Sequence, residues 1–217
     1  MALSNLRFLA EQLTLADQLL AGRNKMFDPQ DLPGRYGRVI NAIDHVLQAM
    51  SCQSVVAGGW AVWRHGFAGR VTQDVDIVLP ADRVQEFMRV ASVSGFETQP
   101  IPEGRWPKLR HRDTDVYVDL LPEGARPGTV SRPAPTTIPH PSRIGGQGQE
   151  LHYIRLPALI ELKLAAGRVR DEADVVELIR ANPQEIALIR SHLSTVHPDY
   201  VKAFDHLAAR AKDQLDA

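Results

Sequence analysis

The chain has 217 residues, 44% hydrophobic and 24% charged, which excludes fibrous, low-complexity and wholly disordered states. Lysine and arginine total 25 against 26 acidic residues, so a net charge of -1 gives no overall attraction to nucleic acid or an anionic membrane, and any basic site has to be local. One cysteine, Cys52, precludes an internal disulfide, Met1 to Ala10 lacks a secretory pattern, and the longest stretch free of Asp, Glu, Lys and Arg (45–63) is too polar to span a bilayer; a cytoplasmic protein with no membrane partner is expected.

Leu6, Leu9, Leu13, Ala16 and Leu20 recur at spacings of three and four, predicting an amphipathic helix that ends near Gly22, with a loop over 23–35. Val39, Ile43, Val46, Leu47 and Met50 give a second helical stripe. Ser54 to Ala57 reads as a short strand stopped by Gly58-Gly59, with a helix after it. The run Asp74-Val75-Asp76-Ile77-Val78-Leu79 alternates before turning apolar throughout, the pattern of a strand entering a core and ended by Pro80. Asp82 with Gln85 three residues later is a capping signal for a helix that Gly95 closes.

A hairpin is expected over 105–121, its arms Trp106 to His111 and Asp115 to Leu121. Six prolines from Pro122 to Pro141 forbid regular structure there, and so long a loop suggests a lid. Leu151 to Ile154 reads as a strand, Pro157 as the first turn of a helix ending at Gly167, and Asp171 as the cap of the next helix. Two further helices begin near Asn182-Pro183 and His197-Pro198. The expected fold class is α/β, a mixed sheet of four to five strands: N-terminal helices over 1–50, a core over 51–155 and a C-terminal helical subdomain over 156–217.

Asp74 and Asp76 stand two apart on a strand, so both side chains leave one face, about 6.6 Å apart at roughly 3.3 Å per residue. A divalent cation can bridge such a pair. Asp119 lies on another predicted strand, with Val116, Val118 and Leu120 on the opposite face. If the two strands are neighbours, three acids converge, and their mutual repulsion makes sense as a Mg²⁺ site for a phosphate-bearing substrate. The alternative for Asp-x-Asp alone is a pair of solvent-facing acids at a strand end. Gly58-Gly59, between a strand and a helix, lets backbone amides approach a phosphate; a tight turn with no ligand explains it equally well.

Lys163 has Leu159, Leu162, Leu164 and Ala166 around it, too apolar a setting for a long cation without a partner. A phosphate, Glu161 or Asp174 would supply one, or the side chain snorkels to the surface. The stretch Arg105-Trp106-Pro107-Lys108-Leu109-Arg110-His111-Arg112 suits a phosphate backbone and base stacking, or is simply a solvated hairpin arm. The histidines show no metal-ligand spacing with cysteine, which disfavours zinc.

Taken in order, Gly58-Gly59-Trp60-Ala61-Val62, then Arg70-x-Thr72-x-Asp74-Val75-Asp76-Ile77-Val78, then Val118-Asp119-Leu120 resemble the nucleotidyltransferase superfamily, which shares a glycine turn, a following Asp-x-Asp and a distal third carboxylate. The pattern is most similar to bacterial single-chain nucleotidyltransferases, including the AbiEii-like toxins of type IV toxin–antitoxin systems. Leu159 to Val175, carrying Lys163, Arg168, Asp171 and Asp174, is similar to the lysine helix and following aspartate helix of that group, so the resemblance spans about 53–180. Many members place Ser or Thr directly after the glycines; here Trp60 follows, which leaves Thr72 as a substitute phosphate donor.

The resemblance implies a nucleotidyltransferase-like fold and Mg²⁺-dependent movement of a nucleoside monophosphate from a nucleoside triphosphate such as ATP to an acceptor hydroxyl. Asp74, Asp76 and Asp119 would hold Mg²⁺, Asp119 taking a second ion or the acceptor proton. Lys163 would act with them in catalysis. Gly58, Gly59, Arg70, Thr72, Lys163, Arg168, Asp171 and Asp174 would face the nucleotide, with Asp171 or Asp174 orienting it or the lysine. The toxin likeness implies tRNA as acceptor and an antitoxin protein as partner; the alternatives are a small hydroxylated acceptor such as an antibiotic, or a non-catalytic nucleotide- or protein-binding module.

Overall fold

The computed structural model describes residues 2–21, 28–101, 106–129, 131–145 and 150–213. Helices α1 (Ala2–Ala21) and α2 (Gly34–Ala49) are followed by strand β1 (Val55–Val56), α3 (Gly58–Arg64), β2 (Asp74–Leu79) and α4 (Val84–Val93). Strands β3 (Phe96–Thr98), β4 (Lys108–His111) and β5 (Tyr117–Pro122), the short helix α5 (Pro141–Ile144) and β6 (His152–Tyr153) complete the middle of the chain. The C-terminal part is helical: α6 (Leu156–Ala166), α7 (Val169–Ala181), α8 (Ile186–Val196) and α9 (Pro198–Asp213). The expected α/β architecture is therefore present, with six strands among the described residues in the order β3-β4-β5-β2-β1-β6. The strand beyond the expected number is β3, whose three residues are too few to show alternation; it is an edge strand that places Phe96 opposite His111.

Parallel β2 and β5 form the centre of the sheet, and β1 joins β2 antiparallel while running parallel to β6. Val75 and Ile77 of β2, Val118 and Leu120 of β5 and Leu109 of β4 are all buried on one face. They share a core with Val39, Ile43 and Leu47 of α2 and Phe87 and Ala91 of α4. Each such side chain taken out of water is worth about 1.5–3 kcal/mol, so the alternating pattern alone fixes which face of β2 and β5 is left to polar residues. Among the described residues, no helix is long and apolar enough to cross a membrane.

Three local expectations are corrected. A 3-10 turn, Ala81–Arg83, leads directly into α4, and the cap position is Arg83 with no side-chain bond, so Asp82 does not cap. Asp171 lies within the first turn of α7, where Arg168 occupies the cap position, and its carboxylate turns inward instead. The proline-rich segment is a packed strap, not a lid: Gly124 N–H donates to Ile138 O and Ile138 N–H to Ala125 O, each at 2.9 Å. Ala134 and Ile138 are buried, and Thr136 Oγ1 meets Tyr200 Oη at 2.8 Å. The strap also leaves the sheet where Pro122 pairs with Leu79, at the opposite end of β2 from Asp74. Gly22, residues 23–27 and Arg105 lie outside the described residues.

The end of α3 carries an acid-sensitive contact. His65 Nε2–H donates to Ile154 O at 2.8 Å, while Asn182 Nδ2 donates to His65 O at 2.7 Å, so this residue links α3 to the exit of β6 and to α7. Burial, helped by the Arg64 charge and opposed by the bond to Ile154, lowers the imidazole pKa from 6.5 to about 4. Between those values the unfolded chain binds a proton that the folded one refuses, so the contribution of His65 to stability should fall as pH drops from about 6.5 to about 4, by roughly 3 kcal/mol in full. Urea unfolding across that range should show His65→Gln, which keeps a donor, to have lost this component; an unchanged pH slope would contradict it.

Candidate active site

The register of β2 and β5 decides the site. Asp76 is directly opposite Asp119, and Asp74 is opposite Tyr117. Since alternate residues share a face, Asp74, Asp76, Tyr117 and Asp119 occupy the face away from the buried Val75, Ile77, Val118 and Leu120. The two strands are neighbours, as the expected convergence required, and the three acids share one face.

Ala57 N–H donates to Asp76 O at 2.8 Å, which draws the glycine turn over this cluster. A Cβ on Gly58 would lie 1.7 Å from Asp76 Oδ2, and its φ of +60° disfavours a side chain independently. A Cβ on Gly59 would lie 2.3 Å from Thr72 Oγ1. The glycine pair thus has a reason inside the protein: it admits the Asp76 carboxylate and the Thr72 hydroxyl against the backbone. Thr72 is buried, its hydroxyl directed to Asp74 O at 3.4 Å and its N–H to Gln12 Oε1 at 3.2 Å, so it supports the turn. Gly58→Ala should destabilise the protein by about 2–4 kcal/mol through strain and overpacking and should displace Asp76. Thermal unfolding of this variant close to that of wild type would show that the turn can relax.

The carboxylates feel one another. Burial, followed by the charges of Asp74 and Asp119, pushes Asp76 up to about 7, against the pull of Lys163 and Arg168. Burial also raises Asp119, opposed by the hydrogen bond and charge of Lys108. Lys108 was missed as a site residue: the β4–β5 register puts it opposite Asp119, and its Nζ lies 2.9 Å from Asp119 Oδ1. The sequence signal is parity, since in a hairpin with Asp119 on the site face the residue across from it shares that face.

Beside the cluster lies a nearly dry network of ions. Lys163 Nζ, buried as its apolar neighbours require, donates to Asp171 Oδ1 at 3.1 Å and to Asp174 Oδ2 at 2.7 Å. Arg70 Nε pairs with Asp174 Oδ1 at 2.9 Å, and Arg168 Nε with Asp171 Oδ2 at 2.6 Å. Burial works against the Asp171 carboxylate, but Arg168 and Lys163 more than offset it and its pKa is lowered. The network joins α6, α7 and the segment before β2. Of the partners considered for Lys163, Asp174 is realised, whereas Glu161 bonds His192 Nε2 at 2.7 Å. The Arg168 side chain is largely exposed, yet its charge reaches Asp76 and Asp119, which places it at the mouth of the cluster.

The described part of the basic stretch is internally neutralised. Arg110 pairs with Glu97 at 2.8 Å and also with Asp115, Arg112 lies 3.5 Å from Glu97, and Lys108 is held by Asp119.

Among the described residues, no group of three or more His, Cys, Asp and Glu is placed to hold a metal ion. The donor set nevertheless fits Mg²⁺, a hard cation usually held by one or two carboxylates with substrate phosphates and water supplying the rest. Two half-buried aspartates beside a third offer such oxygens.

No protein-family model matches the chain, and no curated protein does. Among solved structures, the chain is similar to a crystal structure of ANT(2″)-Ia in complex with adenylyl-2″-tobramycin, at 17% identity over 82% of this chain and 97% of that one, with a TM-score of 0.46. It is also similar to a solution structure of the antibiotic-resistance factor ANT(2″)-Ia, at 16% identity over 82% and 92% of the two chains, again with a TM-score of 0.46.

Proposed function

We propose that the protein is a nucleotidyltransferase that moves a nucleoside monophosphate from a nucleoside triphosphate to a hydroxyl of a small acceptor. The observation that carries this reading is the β2–β5 register, which sets Asp74, Asp76 and Asp119 on one face beneath the glycine turn. Asp74 and Asp76 are the residues that would hold Mg²⁺, which when bound neutralises phosphate charge in the transition state. Asp119 would take a second ion or accept the proton of the acceptor hydroxyl. The acceptor oxygen forms a bond to the α-phosphorus as the bond from that phosphorus to the bridging oxygen breaks, and pyrophosphate leaves with the electron pair. Arg168, at the mouth, and Lys163, in the wall, counter the charge that accumulates on the leaving group.

A small acceptor is preferred over tRNA because the net charge of -1 gives no overall pull on nucleic acid, and the carboxylates beside Lys108, Arg110 and Arg112 offset much of the local positive charge. The toxin assignment and an antitoxin partner rested on the same resemblance and gain no support from this arm. Each nucleoside triphosphate labelled at the α-phosphate, with Mg²⁺, should be incubated first with hydroxylated antibiotics and then with total tRNA. Label transfer to a small molecule with release of pyrophosphate is the expected outcome. Transfer to tRNA would reverse the choice of acceptor, and nucleotide binding without turnover with any acceptor would favour the non-catalytic module.

A further inference from the structure

Lys163, Arg70 and Arg168 are all tied to the α7 aspartates, but Lys108 is bonded directly to a member of the carboxylate cluster. Its ammonium is 2.9 Å from Asp119 Oδ1 and 5.4 Å from the centre of the Tyr117 ring, on the same face as Asp74 and Asp76. Burial works against this ammonium, yet the bond and charge of Asp119, reinforced by Asp74 and Asp76, raise its pKa above the ordinary lysine value. A divalent cation that used Asp119 would meet this positive charge at its ligand. The side chain is 38% exposed, so a flexible four-carbon stem can carry the ammonium away into water.

We propose that Lys108 is a positioning residue that occupies Asp119 when no cation is present and releases it when a divalent cation enters the cluster. The proposal rests on reading the cluster as the cation site of the transfer reaction. In the metal-free state the ammonium, on the side of β5 away from β2, offsets the charge of Asp119 and holds its carboxylate in place. Cation entry then exchanges one positive group for another, so the resident lysine weakens cation binding in return for an ordered site.

The test is direct binding of Mn²⁺ to the metal-free full chain by calorimetry, with no nucleotide. Lys108→Met should bind Mn²⁺ about tenfold more tightly than wild type, the scale expected for removing a unit charge a few ångströms from the ion in a partly screened site. Lys108→Arg should bind as wild type does. Arg110→Met, one position further along the same face but paired with Glu97 and Asp115, should stay within about twofold of wild type, because its charge is already matched. Equal or weaker binding by Lys108→Met, or equal tightening by Arg110→Met, would overturn the exchange. If Lys108→Met does not fold, Lys108→Gln serves the same comparison. Loss of Mn²⁺ binding in Asp76→Asn with no change in Lys108→Met removes only the exchange; no binding by wild type, either alone or with a non-hydrolysable triphosphate analogue, removes the cation site and the exchange with it.

Discussion

Asp76→Asn should abolish nucleotide transfer while making the metal-free protein more stable. The loss follows from exchanging an anionic oxygen for a neutral amide at the centre of the cluster, because Mg²⁺ tolerates little change in ligand charge or geometry. Losing several kcal/mol of transition-state stabilisation corresponds to about a thousandfold or more in rate. The gain follows from linkage. Asp76 has a folded pKa of about 7 against an ordinary 3.8, so between those values the folded chain binds the extra proton. Stability of the metal-free wild type therefore falls as pH rises through this window, with a full cost on the order of 4 kcal/mol above it. Asparagine has no charge to impose, so the variant should lose this decline and keep only the opposite slope that His65 contributes. His65 acts with the opposite sign over nearly the same range, and the two effects partly cancel in wild type; the Asp76→Asn and His65→Gln variants separate them. An active Asp76→Asn enzyme would contradict the assigned role.

Lys163→Ala should harm folding as well as transfer. The substitution leaves Asp171 and Asp174 buried with one partner fewer each, both having lost a direct bond to the ammonium. Removing one member of a buried ion pair commonly costs about 3–5 kcal/mol, because the remaining charge has no solvent to turn to. Urea unfolding should show a loss of that size, larger than for Arg168→Ala, whose side chain is largely exposed and bonds directly only to Asp171 among the acids described. A lysine variant as stable as wild type would mean that the two aspartates relax to water and that the network does not bind α6 to α7.

Period-two alternation made the central feature legible. It placed Asp74 and Asp76 on one face and gave Asp119 the same parity, so the cluster needed only that the two strands be neighbours. The C-terminal helices were equally clear from Pro157, Gly167 and the two later prolines. Asp171 was harder, since an acid in a first helical turn can cap the helix or pair inward, and the choice depends on a buried lysine eight residues earlier. The lid expectation failed because proline content reports the lack of regular structure, whereas Ala134, Ile138 and the Thr136–Tyr200 bond report tertiary packing. Lys108 escaped notice because its role depends on hairpin register, which a one-residue change in the turn would reverse. Strand β3 carried too few residues for any periodicity.

Asp74 and Asp76, with Asp119 beside them, are proposed to hold a divalent cation against a nucleoside triphosphate. Crystals grown with Mn²⁺ and a non-hydrolysable triphosphate analogue, measured for anomalous scattering, test this most directly. A manganese peak is expected within bonding distance of Asp74 or Asp76, bridged to the phosphates of the analogue, with Arg168 turned toward them. A bound analogue with manganese elsewhere, or neither species at the cluster, would contradict it.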